Sequence, residues 1–276
     1  MSQRLIDTFA RLRKGGAPGL VAYVTAGDPT YARSKDIVRA LDRAGADVIE
    51  LGVPFSEPLA DGPVIQRATE RALAGGMTLA RTMDLVDELR SEVRAPIVLF
   101  SYANPIYRLG LDAFVARAAA VGVDGVLTLD LPAEEAGPLH ERLAAANLDM
   151  IFLVSPTTTD ERLRRAGDIG SGFLYGVSRT GVTGMRDAVA DSAEGLAARM
   201  RRETRLPVAI GFGLSRPEHI RDVGRWADAA VVGSALVDVI ARAGDSPEVV
   251  ADVERFVRWL KGAADAAPVA GGSTHG

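Results

Sequence analysis

Three acids, Glu50, Glu57 and Asp61, close an apolar run in "VIELGVPFSEPLADGP" at 48–63. Val48, Ile49 and Leu51 call for an apolar interior, and Glu50 stands among them. A carboxylate taken into such surroundings loses its hydration, and its pKa rises. A Glu that titrates near neutrality can serve as both acid and base. The competing role for Glu50 is that of a surface residue at a strand end. Asp61 precedes Gly62-Pro63, where aspartate commonly makes a turn or an N-cap; catalysis and capping both stand open for it. Glu57, between Ser56 and Pro58, fits a solvated loop.

Composition narrows the remaining chemistry. The 276 residues include no cysteine, which removes disulfides and thiolates. Lysine occurs only at 14, 35 and 261, never at the C-terminal end of a strand, so a Schiff base is not expected. Histidine occurs only at 140, 219 and 275, too far apart for a His-built zinc site. His140 and His219 fit helices, and Trp226 fits packing. A formal charge of −4 argues against a nucleic-acid surface. Two glycine-rich segments suit an anion instead. In "GFGLS" (211–215) and "VVGSA" (231–235), Gly213, Gly233 and Ser234 leave room for backbone N–H groups. Helices starting at Leu214-Ser215 and Ser234-Ala235 would turn their positive ends to a phosphate. Ordinary turn chemistry is the alternative. "SRTGVTG" (178–184) fits a mobile lid to which Gly184 adds a donor, or a plain surface loop.

These groups need a scaffold to bring them together. Short β-rich runs lie at 19–26, 47–51, 96–100, 125–129, 149–154, 172–177, 207–212 and 229–233, each followed by a helical period. Such alternation predicts right-handed βαβ units and a parallel sheet. The expected fold is an α/β (β/α)8 TIM barrel, with an open doubly wound sheet as its rival. No G-x-G-x-x-G follows the first strand, which counts against that rival. The long gap after strand 2 predicts an extra helix, with 62–74 and 78–93 separated by Gly75-Gly76. Leu5, Ile6, Phe9 and Leu12 predict an N-terminal helix that caps the barrel bottom. With 47% hydrophobic residues, a single catalytic domain over 1–262 is expected, then a flexible tail at 263–276. Neither a signal peptide nor a run of about 18 apolar residues is seen, which predicts a cytoplasmic protein. Active sites of such barrels lie at the C-terminal strand ends. Glu50 shares a face with Val48, so an inward face would hang it in the mouth.

Seven motifs now carry a resemblance: "VTAGDP" (24–29), "IELGVPFSEPLADGPVIQ" (49–66), "SYANP" (101–105), "DLP" (130–132), "SRTGVTG" (178–184), "GFGLS" (211–215) and "VVGSA" (231–235). In this order and spacing the sequence resembles the tryptophan synthase alpha chain family over about residues 5–260. The resemblance implies retro-aldol cleavage of indole-3-glycerol phosphate to indole and glyceraldehyde 3-phosphate. It assigns Glu50 the protonation of indole C3 and removal of the glycerol hydroxyl proton. Asp61 would hold the indole N–H. Gly184, Gly213, Gly233 and Ser234 would bind phosphate. Thr183 would help close the lid over Asp61, and Tyr175 would reach towards Glu50. Tyr23, Phe100, Leu127 and Phe212 would line the indole pocket. The family works with a β chain in an α2β2 heterotetramer. Pyridoxal phosphate belongs to that partner, no metal is required, and this chain is expected to hold no cofactor. The loop 53–61, Asn104-Pro105 and the segment around Asp130-Pro132 match the family's contact surface.

Two positions depart from the family. Glu57 stands where Asp is usual, and Ala22 where Pro is frequent. A stand-alone indole-releasing lyase, a non-catalytic activating subunit of a β chain, and a two-carboxylate glycosidase remain the alternatives.

Overall fold

A computed structural model describes residues 1–177, 186–211 and 213–262, with no side chains described for 186–191. Its strands are β1 (Gly19–Thr25), β2 (Val48–Gly52), β3 (Ile97–Ser101), β4 (Gly125–Thr128), β5 (Asp149–Val154), β6 (Leu174–Val177), β7 (Val208–Gly211) and β8 (Ala229–Val232). Each pairs in parallel with the next, and β1 pairs with β8 to close the barrel. Closure eliminates the doubly wound alternative.

Seven of the eight strands differ from their expected limits by one or two residues, and in three the late start has a backbone reason. β3 and β7 begin one residue after Pro96 and Pro207, prolines that lack an N–H to give a ladder. β6 begins only at Leu174, because Gly172 has φ of +74°, outside the extended region.

Side-chain alternation builds two apolar layers. Val21, Tyr23, Val48, Val98, Phe100, Leu127, Ile151, Ala209 and Val231 fill the barrel interior. Ala22, Ile49, Leu51, Leu99 and Val126 point outward to the helices. The N-terminal helix α1 (Gln3–Gly15) adds Leu5, Phe9 and Leu12 to the interior layer and so plugs the bottom. Ile6 lies off that face and is 40% exposed.

Acids at the bottom rim fix this plug. Asp47, Asp124 and Asp228 stand just before β2, β4 and β8. Each accepts an amide from the start of the preceding strand: Leu20 at 2.9 Å, Ile97 at 2.9 Å and Val208 at 2.8 Å. Each also takes an arginine from α1: Arg11 at 2.8 Å, Arg4 at 3.1 Å and Arg13 at 3.5 Å. Asp124 further accepts the Ser2 hydroxyl at 2.6 Å and Arg90 at 3.2 Å.

Around the sheet run α2 (Tyr31–Ala44), α3 (Pro63–Ala74), α4 (Leu79–Leu89), α5 (Ala103–Leu109), α6 (Leu111–Ala120), α7 (Gly137–Ala145), α8 (Asp160–Ile169), α9 (Arg186–Glu203), α10 (Pro217–Val223), α11 (Ser234–Ala243) and α12 (Glu248–Leu260). The extra helix after β2 is present. Thr30, Thr78 and Thr159 cap α2, α4 and α8 through side-chain oxygens. α4 stops at Leu89, short of the expected 93. There Arg90 turns its guanidinium onto the carbonyls of Val93 and Ala95 and onto Asp124. Two shorter helices after β3, and α12 after α11, were not separated in the hydropathy pattern. His140 and His219 do lie on helices, in α7 and α10. Among the described residues no helix is long and apolar enough to cross a membrane.

The bottom rim gives a stability test. Asp124→Ala removes a buried acceptor and leaves Arg90, only 12% exposed, without its carboxylate. Urea unfolding should show a loss of about 3–5 kcal/mol. Arg221→Ala, in an exposed pair with Glu218, should change stability by less than about 0.5 kcal/mol.

Candidate active site

β2 carries Glu50 into the interior layer, in register between Tyr23 of β1 and Val98 of β3. The residue is 0% exposed, and among the described residues neither carboxyl oxygen has a hydrogen-bond partner. Loss of hydration alone raises its pKa from 4.5 to about 8. Glu50 is therefore mostly a neutral acid at pH 7, and the surface alternative is excluded.

Tyrosines surround it. The Tyr175 hydroxyl is buried, and burial together with the nearby Glu50 and Tyr23 pushes its pKa upward. Tyr23 is raised chiefly by burial, then by Asp61, with Glu50 adding to it. One phenol thus senses the charge of both carboxyl groups. Tyr23 also meets Phe100 edge-on, with ring centroids 5.1 Å apart. Two glycines make room for these rings. A Cβ at Gly52 would stand 2.2 Å from the Tyr23 hydroxyl, and one at Gly211 would stand 2.9 Å from that of Tyr175.

Asp61 is half-buried on the loop between β2 and α3. It is not the cap of α3. Gly62 holds that position, and Pro63 opens the helix, as suits its missing N–H and fixed φ. The Asp61 carboxylate instead accepts the Tyr102 hydroxyl at 3.1 Å. The same hydroxyl accepts the Ala60 N–H at 2.9 Å. Glu57 is exposed, as its loop position predicts.

Leu127 and Phe100 lie in the interior layer, as expected of pocket walls. Gly213 and Ser234 are exposed, and Gly233 is half-buried at the end of β8. Gly233 is the N-cap of α11, which begins at Ser234 as expected. After β7 the expected helix start at Leu214-Ser215 is wrong: α10 begins at Pro217. Gly213 has φ of +76°, and Arg216 is extended at the N-cap, so the chain turns before it coils. Thr183, Gly184 and Phe212 fall outside the described residues.

Tyr102 was not singled out in the sequence, although it lies in a quoted motif one residue beyond β3. Leu129 and Leu153 were also missed. Both pack against the interior layer. Leu129 was within reach of the alternation rule, two residues beyond inward-facing Leu127. Among the described residues no group of three or more His, Asp or Glu side chains is arranged to hold a metal ion.

The buried carboxyl makes stability depend on pH. Below pH 4.5 folded and unfolded chains both hold the Glu50 proton, and burial of the neutral acid carries no ionisation cost. From there to about 8 the unfolded chain releases its proton first, so stability falls as pH rises; above about 8 the loss is complete. Glu50→Gln removes this dependence. Thermal unfolding should show the variant gaining on its parent by roughly 2–5 kcal/mol between about pH 5 and pH 9.

Comparison with known proteins agrees with this geometry. The family profile described as tryptophan synthase alpha chain matches residues 9–265. A tryptophan synthase alpha chain of Burkholderia thailandensis is 47% identical over 266 residues, covering 96% of this chain and 97% of the relative. The alpha subunit structure from Legionella pneumophila superimposes with a TM-score of 0.87 at 33% identity, covering 95% of this chain and 98% of that one. A chain from the Pyrococcus furiosus tryptophan synthase a2b2 complex gives a TM-score of 0.83 at 41% identity, over 88% and 98%. With its closed barrel, its buried acid and these relatives, the chain belongs to the tryptophan synthase alpha chain family.

Proposed function

We propose that the barrel mouth cleaves indole-3-glycerol phosphate to indole and glyceraldehyde 3-phosphate, as a lyase of tryptophan biosynthesis. The observation that carries this assignment is Glu50: fully buried, without a hydrogen-bond partner among the described residues, and with its pKa raised to about 8. An acid in that state can give its proton to indole C3, and the ring nitrogen then carries the positive charge. Asp61 grips the N–H and stabilises this cation. Glu50, now a carboxylate in a dry pocket, is a strong base for the hydroxyl on the carbon bonded to C3. As that proton leaves, the O–H electrons become a C=O bond and the C–C bond breaks. Its electrons return to the ring and restore neutral indole. The protons balance: one enters at C3 and one leaves the hydroxyl, both through Glu50. The indole is its own electron sink, so neither lysine nor metal is required.

Tyr23, Phe100, Leu127 and Phe212 line the indole pocket in this scheme, Tyr175 reaches towards Glu50 and the substrate, and Thr183 helps to close the lid over Asp61. Phosphate binds at Gly213, Gly233 and Ser234, with Gly184. The N-terminus of α11 supports that position, since its leading amides lack intrahelical partners. The domain is 1–262, and the site is cytoplasmic. The partner is a β chain that holds pyridoxal phosphate, in an α2β2 assembly. Leu59 is 89% exposed on the 53–61 loop, and Tyr107 and Leu109 are 47% and 38% exposed on α5 beside Asn104-Pro105, which supports contact there.

Purified chain incubated with indole-3-glycerol phosphate should release indole, and added β chain should stimulate it strongly. Absence of stimulation would point to a free-standing lyase. Glu50→Gln and Asp61→Asn should each lower kcat by at least about 100-fold while the protein stays folded; near-normal turnover in either refutes its role. A Cβ at Gly233 would meet only Tyr23, at 3.6 Å, so Gly233→Val should fold. Its KM should rise roughly tenfold if backbone amides there approach phosphate.

A further inference from the structure

The loop that carries Asp61 is held from two sides by groups the reaction itself does not use. On one side is Tyr102. Its hydroxyl donates to Asp61 Oδ2 at 3.1 Å and accepts from Ala60 N at 2.9 Å. Its ring lies 5.2 Å from that of Phe55, on the same loop. Tyr102 is only 6% exposed. The next residue is pinned as well, since the Ala103 N–H donates to Asp130 Oδ1 at 2.7 Å. Burial raises the Tyr102 pKa to about 12, so the hydroxyl keeps its proton across the working range.

On the other side is α3. Gln66, in its first turn, donates through Nε2 to the Asp61 carbonyl at 2.9 Å and to that of Pro58 at 3.4 Å. The helix that presents Gln66 is itself anchored further along. Arg71 grips Asp28 with both prongs, Nε to Oδ1 at 2.7 Å and Nη2 to Oδ2 at 2.9 Å. The Asp28 side chain is 1% exposed, on the turn that leaves β1. A two-pronged arginine–carboxylate contact fixes direction as well as distance. Asp28 therefore ties α3 to the barrel wall, Gln66 ties the loop to α3, and Tyr102 ties both loop and carboxylate to β3.

We propose that Tyr102, Gln66 and the Asp28–Arg71 pair are positioning residues for Asp61, setting its carboxylate in the mouth before substrate arrives. This rests on the assignment of Asp61 to the indole N–H. Misplacement of a catalytic group by about 1 Å costs up to 10²-fold in rate, which is the scale a framework of this kind controls.

Tyr102→Phe keeps the ring against Phe55 and deletes the hydroxyl. Gln66→Leu keeps bulk and deletes the donor. Arg71→Gln deletes the distant anchor. For each, kcat per folded molecule should fall roughly tenfold or more, with KM for indole-3-glycerol phosphate changed less than about threefold. Arg71→Lys keeps the charge without the fork and should recover only part of the loss. Tyr102→Phe combined with Gln66→Leu should cost less than the product of the two, because both act through one carboxylate. Asp61→Asn is measured alongside. If it turns over normally, the role of Asp61 itself is wrong. If it is silent while the three variants keep full kcat, whatever their melting temperatures, the positioning framework is overturned. Loss expressed only in KM would overturn it too.

Discussion

A carboxyl group closed off from bulk solvent is what the rest of this molecule is arranged to tolerate. Glu50 lies in the interior layer, 0% exposed, with no hydrogen bond to either oxygen among the described residues. Its neutral form survives there because ionisation would cost more than the proton's release returns. Among the described residues nothing compensates that charge, and burial sets the proton affinity. Adding an arginine would stabilise the carboxylate and remove its value as an acid. The site depends on a partner being withheld.

The bottom of the same barrel obeys the opposite rule. Asp47 and Asp124 are buried and Asp228 is partly so, and each is given a strand amide and an arginine from α1. Arginines reaching in from the surface match their charges, and together they seal one end with a helix. In a parallel barrel the two rims differ in chemistry because all strands point the same way. One rim carries paired charges that hold the fold. The other carries a carboxyl left unpaired and a second one, Asp61, held by a hydroxyl. Tyr23 feels the charge of both.

Much of this was legible in the residues. Eight β-rich runs separated by helical periods specify a closed parallel barrel, and Glu50 among Val48, Ile49 and Leu51 announces a buried acid at a strand end. The plug helix was legible in Leu5, Phe9 and Leu12. Element limits were less so. Gly172 delays the start of β6 by its φ, and Arg90 stops α4 by bonding carbonyls beyond it. Both depend on where the chain goes next. The N-cap alternative for Asp61 failed for a similar reason, since its carboxylate turns to Tyr102, 41 residues away.

The sequence by itself determined the periodicities, the strand that bears the acid, and the glycines that leave room at the mouth, because these follow from local volume, hydropathy and backbone freedom. It also limited the chemistry, by leaving out cysteine and by placing lysine away from strand ends. Only the tertiary structure decided that Glu50 has no hydrogen-bond partner among the described residues, that Tyr23 feels the charge of both carboxyl groups, and that Tyr102 and Gln66 hold one loop while Arg71 anchors the helix behind it. Those are relations between strands and helices far apart in the chain. Proton affinity and orientation depend on the distance and desolvation they create, and neither quantity exists until the barrel closes.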